Sequence, residues 1–137
     1  MIVIDTHALV WLIQGDTRLG AEARRIVAQS QAAGAILIPS IVPWEVSMLV
    51  DKGRLALGLP VREWFDRVLA SRGFGMAPLE CGMAIDAGML PGDIHGDPAD
   101  RMVIATARHL RLPLLTADRR ILEYADDGHV AVIDASR

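Results

Sequence analysis

Strand-length apolar runs alternate with helix-length segments along this chain, and few folds accept that order. The strand-like runs are Ile2–Ile4, "AILIP", the weaker "FGMAPL", "LPLLT" and "VAVID". Between them lie an apolar helix from about Ala8, then "GAEARRIVAQSQAAG", stopped by Gly34, and "SIVPWEVSMLVDKG". In the last of these, Ser40 reads as the cap, Pro43 as a first-turn residue and Gly53 as the end. "VREWFDRVLASRG", a short helix in "CGMAIDAGML", "ADRMVIATARHL" and "DRRILEYA" complete the set. Repeated strand–helix alternation predicts an α/β domain with a mostly parallel sheet covered by helices. At 137 residues it forms one domain over its whole length, with no internal repeat or linker.

The first strand ends on an acid. Asp5 follows Ile2, Val3 and Ile4 directly, and an ionised carboxylate at the end of a core strand needs a hydrogen-bond donor, a cation or a metal. In open parallel sheets the ligand site lies outside the carboxyl ends of the strands. Thr116 and Asp118 follow the strand "LPLL" and reach the same edge, while Glu45 and Asp100 lie in the first turns of helices that start there. Four carboxylates therefore converge on one rim.

Each acid also has a plainer reading. Asp5 can cap the helix that follows it, and Asp118 can cap "RRILEYA". Asp97, Pro98 and Asp100 in "GDPADR" make a capping arrangement available to any stable helix. Glu45 is different, because Ile41, Met48 and Leu49 surround it on an apolar helix face where a solvated acid is out of place; Lys52 reaches it only by a long stretch. His7 and His95 are read as structural, since no paired His or Cys spacing of a zinc site is present. Trp11, Trp44 and Trp64 are read as packing residues, with Trp44 beside a groove next to Glu45.

Bulk properties narrow the classes further. The longest apolar stretches, Ala8–Ile13 and Ala35–Ile38, fall far short of the ~20 residues of a membrane span. Cys81 is the only cysteine, so no disulfide forms within the chain. With no basic leader or small-residue cleavage site at the N-terminus, a cytoplasmic location is expected. A net charge of −3 excludes a chain coated in phosphate-binding charge but not a nucleic-acid partner, since an acidic centre hides local basic patches in the total. Thirteen of the 14 basic residues are Arg. Arg101, Arg108, Arg119 and Arg120 are candidate phosphate contacts, although solvated helix faces account for most of them.

Four stretches, "IVIDTHALVWL", "IPSIVPWEVSMLVDKGRL", "HGDPADRMVIATA" and "LPLLTADRRI", occur in the order and at the approximate spacing of one family. Through them the chain resembles the PIN domains, and among these the VapC-type toxins of bacterial toxin–antitoxin pairs, over nearly its whole length. Pro43 before "WE" departs from the usual pattern and bears only on local helix geometry. The resemblance implies a PIN-like three-layer α/β/α domain and an acidic site of Asp5, Glu45, Asp100 and Asp118, with Thr6 and Thr116 beside it. It also implies a Mg²⁺- or Mn²⁺-dependent endoribonuclease, an RNA substrate contacted by Arg101 and Arg119, a cognate antitoxin and a homodimer. A family-like antitoxin would lay an apolar helix and an Arg into the groove near Trp11, Trp44 and Met48.

The implied metal fits the residues. Crowded carboxylates repel one another, a divalent cation removes that repulsion, and all-oxygen ligation suits Mg²⁺ or Mn²⁺ better than zinc or copper. Such an ion polarises a phosphodiester and lowers the pKa of a bound water. In this scheme Asp5 and Asp100 hold the main ion, Glu45 orients or deprotonates the water, and Asp118 serves a second ion or an outer water. Rival readings fare less well. A haloacid-dehalogenase-like phosphatase wants an Asp where His7 stands, and a receiver domain wants a Lys after a late strand, whereas Lys52 is mid-chain. A non-catalytic PIN-fold binding module and a DNA-directed nuclease of the same fold remain as alternatives.

Overall fold

Ile2–Ile4 form strand β1, buried along its whole length, as an unbroken β-branched run requires at the centre of a parallel sheet. The computed structural model describes residues 1–137. After β1 come α1 (Thr6–Gln14), α2 (Ala21–Ala32), β2 (Ile36–Pro39), α3 (Ile41–Asp51), α4 (Val61–Ala70) and β3 (Phe74–Ala77). The second half contains α5 (Cys81–Gly88), α6 (Pro98–Leu110), β4 (Leu114–Thr116), α7 (Arg119–Ala125) and β5 (Val132–Asp134). The strands lie in the order β3-β2-β1-β4-β5, all parallel rather than mostly so. Helices cover both faces, giving three α/β/α layers.

Val3 sits opposite Leu37 on one side and Leu114 on the other, so β1 is locked between β2 and β4. Ile4, Leu9, Ile36, Ile38, Ile104, Leu114, Leu115 and Ile121 are fully buried around it. From β1 the chain winds outward to β2 and β3, and from β4 to β5. The order therefore reverses between β1 and β4, which is where such sheets open a crevice at their carboxyl ends. No helix is long and apolar enough to cross a membrane.

Two local expectations change. α1 begins at Thr6, not near Ala8, because Asp5 accepts a hydrogen bond from the Thr6 amide and starts the helix immediately. Ser40 stands before α3 but gives it no side-chain cap; its hydroxyl donates instead to the Ala77 carbonyl at the end of β3 (3.2 Å). Gly34 and Gly53 end their helices with φ of +72° and +70°, as expected. Gly73 is more tightly constrained: φ is +95°, and a Cβ there would lie 2.4 Å from the Gln31 carbonyl oxygen.

Gly73→Ala should therefore lower stability by about 1–3 kcal/mol, with the clash against the end of α2 adding to the backbone strain. Gly34→Ala meets open space at a similar φ and should lose less. Urea melts of the two variants beside the parent compare them directly.

Candidate active site

At the open edge of the sheet three helices start on an acid whose side chain accepts a first-turn amide: Asp5 before α1, Asp97 before α6 and Asp118 before α7. For α1 and α7 a parallel sheet makes this natural, because β1 and β4 each hand the chain to a helix whose N-terminus faces the same edge, where partial positive charge favours a carboxylate; α6 instead follows α5 and leads into β4. Glu45 joins them from the second turn of α3, and Asp100 from the first turn of α6.

Asp5 is only 5% exposed. Its Oδ1 accepts from the Thr6 amide at 2.8 Å and its Oδ2 from the Thr116 hydroxyl at 2.6 Å. Thr116 Oγ1 in turn accepts from the Asp118 amide at 3.0 Å. Burial raises the Asp5 pKa, the two hydrogen bonds draw it back, and the nearby Asp118 charge raises it further. Asp118 Oδ1 takes the Arg120 and Ile121 amides at 2.9 and 3.1 Å, so one of its oxygens is fully used as a cap.

Glu45, Asp97 and Asp100 form the tightest group, each offering an oxygen within 4.8 Å of the others. Burial raises the pKa of Glu45, and the Asp5 and Asp97 carboxylates act in the same direction. The Thr6 hydroxyl lies close enough to favour the ionised form of Glu45. It is nevertheless out of hydrogen-bonding geometry, and Thr6 Oγ1 is buried without a partner. Asp100 is pushed up to about 7, chiefly by burial; the His95 contact pulls it down and the Asp5, Asp118 and Asp97 charges push it up. His95 Nε2 lies 2.6 Å from Asp100 Oδ2. When Asp100 is ionised its carboxylate only accepts, and Nε2 then carries the proton in that contact.

The sequence-derived set is thus brought to one edge, but its internal arrangement differs. Asp97 belongs to the tight group while also capping the Asp100 amide at 3.0 Å, whereas Asp5, expected beside Asp100 on the main ion, and Asp118 both stand outside it. Neither role excludes the other, since a carboxylate offers about four lone-pair sites. The signal for Asp97 was its place three residues before Asp100, which the capping explanation absorbed. The ring of His95, expected to be structural, touches Asp100. His7 is exposed beside Asp5 and Glu45.

Arg101 is not available to a substrate phosphate: its guanidinium donates to the Ala87, Gly88, Ile94 and His95 carbonyls. Arg108 is likewise engaged with the His129 carbonyl. Arg119 is exposed but lies in a cleft with Asp126, Asp134 and Arg137 beside β5, away from the tight group. Arg120, also exposed, lines a cleft with Asp93 and His95. Trp64 is buried, as a packing role requires, whereas Trp44 is 52% exposed.

None of Asp5, Glu45, Asp97, Asp100 or Asp118 forms an ion pair with Lys or Arg. Acids crowded, partly buried and left without a cation from the protein suit a hard divalent ion, and a donor set of oxygens alone fits Mg²⁺ or Mn²⁺.

The fold and site are those of an all-parallel α/β domain with an acidic crevice at its switch point, and the sequence gives the family. The chain belongs to the PIN domain family, whose profile matches residues 2–127. It is 29% identical over 132 residues to ribonuclease VapC22 of Mycobacterium tuberculosis (strain ATCC 25618 / H37Rv), a match covering 96% of this chain and 97% of the relative. The fold recurs in VapBC2 from Rickettsia felis, solved bound to a promoter DNA fragment, with a TM-score of 0.71, 18% identity and 98% of each chain covered. It recurs also in DNA-bound VapBC from Salmonella typhimurium (TM-score 0.68, 17% identity, 97% of this chain and 96% of that one). A toxin–antitoxin complex from Klebsiella pneumoniae gives a TM-score of 0.64 at 20% identity, with 98% of each chain covered.

Two predictions follow from the acids. A carboxyl raised from 3.8 to about 7 in the native state binds a proton more readily there than in the unfolded chain. Between those pH values the metal-free protein loses stability as pH rises and gains it as pH falls. Asp16, Glu22 and Asp134 are held below their ordinary values by Arg18, Arg25 and Ser136 respectively, so the stability they contribute is lost only at lower pH. A urea-midpoint series in chelator should show stability rising from pH 7 toward 5, and Asp100→Asn should flatten that slope.

The second concerns Asp97. Asn caps a helix as well as Asp, so Asp97→Asn should leave metal-free stability within about 0.5 kcal/mol, whereas Asp97→Ala should lose about 0.5–2 kcal/mol. If Asp97 serves the tight group as an anion, both variants lose Mn²⁺ affinity in calorimetric titration. Full affinity in Asp97→Asn would return Asp97 to a capping role alone.

Proposed function

We propose that this protein is a Mg²⁺- or Mn²⁺-dependent endoribonuclease and the toxin of a toxin–antitoxin pair. The observation that carries the reading is the group of Glu45, Asp97 and Asp100, with Asp5 behind it, free of any Lys or Arg partner. The family match and the likeness to ribonuclease VapC22 support it.

Asp5, Glu45, Asp97 and Asp100 would hold the ion, with Asp118 supplying charge from the edge. When bound, the ion supplies Lewis-acid stabilisation of charge on a phosphodiester undergoing hydrolysis. The chain's own groups do the rest. Glu45, half-buried with a raised pKa, is suited to accept a proton at its carboxylate from an attacking water. Thr116 and the Thr6 amide keep Asp5 from turning away, and His95 fixes one oxygen of Asp100 while leaving the other free to face the group. Arg120, exposed beside His95, is the best-placed Arg to meet a neighbouring phosphate.

The partner side of the proposal rests on the relatives solved as toxin–antitoxin complexes and on exposed apolar surface near the site. Trp44 is exposed, and Pro43, Val61, Phe65, Leu69 and Met76 line a cleft between α3, α4 and β3. This surface suits an apolar antitoxin helix, and a homodimer is part of the same reading.

Purified protein should cleave RNA with Mg²⁺ or Mn²⁺ and stop in excess chelator, while a DNA oligomer of the same sequence stays intact. Asp5→Asn should lose cleavage with its metal-free melting temperature held or raised, because one crowded charge is removed. The added stability that Mn²⁺ gives the parent should shrink in this variant. Cleavage that persists in chelator and in Asp5→Asn would overturn the metal-dependent mechanism at this site, and no cleavage of RNA with either metal would overturn the nuclease assignment.

A further inference from the structure

We propose that Arg101 is a positioning residue for the metal site, stapling the loop between α5 and α6 so that His95 stays against Asp100. The inference rests on the divalent-metal reading above and goes beyond it by assigning a residue that no carboxylate touches.

The loop, "MLPGDIHGD" over residues 89–97, has no regular structure of its own, yet it carries both His95 and Asp97 into the site. Its course is set from outside. Arg101 Nε donates to the Ala87 carbonyl at 2.8 Å and Nη2 to the Gly88 carbonyl at 3.4 Å. These carbonyls belong to the last turn of α5, where helical partners run out. The same guanidinium reaches the loop, with Nη1 donating to the Ile94 and His95 carbonyls at 3.2 and 3.3 Å. One planar fork thus ties the end of one helix and the far end of the loop to the first turn of α6. A charged fork does this more firmly than neutral donors could. A second tie holds the middle of the loop, where the Tyr124 hydroxyl donates to the Pro91 carbonyl at 2.5 Å.

The side chain of His95 shows why the backbone ties matter. Its Nε2 meets Asp100 at 2.6 Å, but Nδ1 is buried with no partner. Metal-bound and metal-directed ligands are commonly fixed by a second hydrogen bond from behind; this ring has none. Its position is set through its own backbone, where its carbonyl accepts from Arg101. Loosening that carbonyl moves the ring, and with it the orientation of the Asp100 carboxylate. Loss of such an outer partner typically lowers metal affinity about 10–100-fold.

The test uses the full chain with Mn²⁺ alone as probe. Arg101→Met keeps the apolar stem and removes the fork; Arg101→Lys keeps the charge as a single-point donor. Calorimetric titration should show Mn²⁺ affinity about 10–100-fold weaker in Arg101→Met and partly restored in Arg101→Lys. Hydrogen exchange should speed up over residues 89–97 while β1 and β4 stay protected. If Arg101→Met does not fold, the same two readings on Arg101→Lys, intermediate in both, decide the matter. Faster loop exchange with unchanged Mn²⁺ affinity overturns the inference, as does an unchanged loop. So does weakened RNA binding at full Mn²⁺ affinity, which would mark Arg101 as a phosphate contact. A parent that binds no Mn²⁺ removes the metal reading and this inference together, whereas a parent that binds it no better than both variants removes the inference alone.

Discussion

The Thr116 hydroxyl and the Asp5 carboxylate, 111 residues apart in sequence, meet at 2.6 Å between the ends of β1 and β4. This bond makes the rest of the site possible. Without donors a buried carboxylate would take a proton or open the fold to water. With the Thr6 amide on one oxygen and Thr116 on the other, it stays in the crevice, at a pKa that burial still raises. The same hydroxyl accepts the Asp118 amide, so one side chain sets both where β1 ends and where α7 begins. Register between β1 and β4, with Ile4 opposite Leu115, is what brings the two residues to the same height.

Capping and metal ligation looked like competing explanations of Asp5, Asp97 and Asp118 when only the sequence was considered. In the folded chain the first does not exclude the second. Helices that follow parallel strands all point their N-termini at one edge, and an acid at such a terminus uses some of its lone pairs on backbone amides while the others remain. The sheet therefore sets the caps Asp5 and Asp118 at the edge beside Asp100. This is why the strand ends and helix starts, and with them Asp5, Asp100 and Asp118, could be read from periodicity and turn chemistry. Asp97 could be placed on its helix but not in its company, because its distance to Glu45 depends on how α3 and α6 pack.

What escaped the sequence is tertiary in the same sense. Ser40 has a cap's chemistry, and the Ala77 carbonyl on a neighbouring strand outcompetes the helix for its hydroxyl. Arg101 and Arg108 have a phosphate contact's chemistry, and backbone carbonyls across the fold take their donors first. A guanidinium carries five donors, and neither charge nor spacing says which acceptors will surround them. Trp44 sits in an apolar helix, where packing is the default, but its face of α3 is left uncovered. In each case the residue type was informative about chemistry and silent about the partner.

The choice of donors around the acids explains how the site keeps its charge. An Arg or Lys beside Asp5 would stabilise the carboxylate more strongly than a hydroxyl does, but it would also cancel the negative potential that draws a cation. A threonine hydroxyl and backbone amides satisfy hydrogen bonds while adding no net charge. The fold thus meets the hydrogen-bonding demands of its buried acids and leaves their mutual repulsion in place. That residual repulsion opposes folding, and under the proposed divalent-metal reading a bound ion would relieve it, so that filling the site would also stabilise the native state.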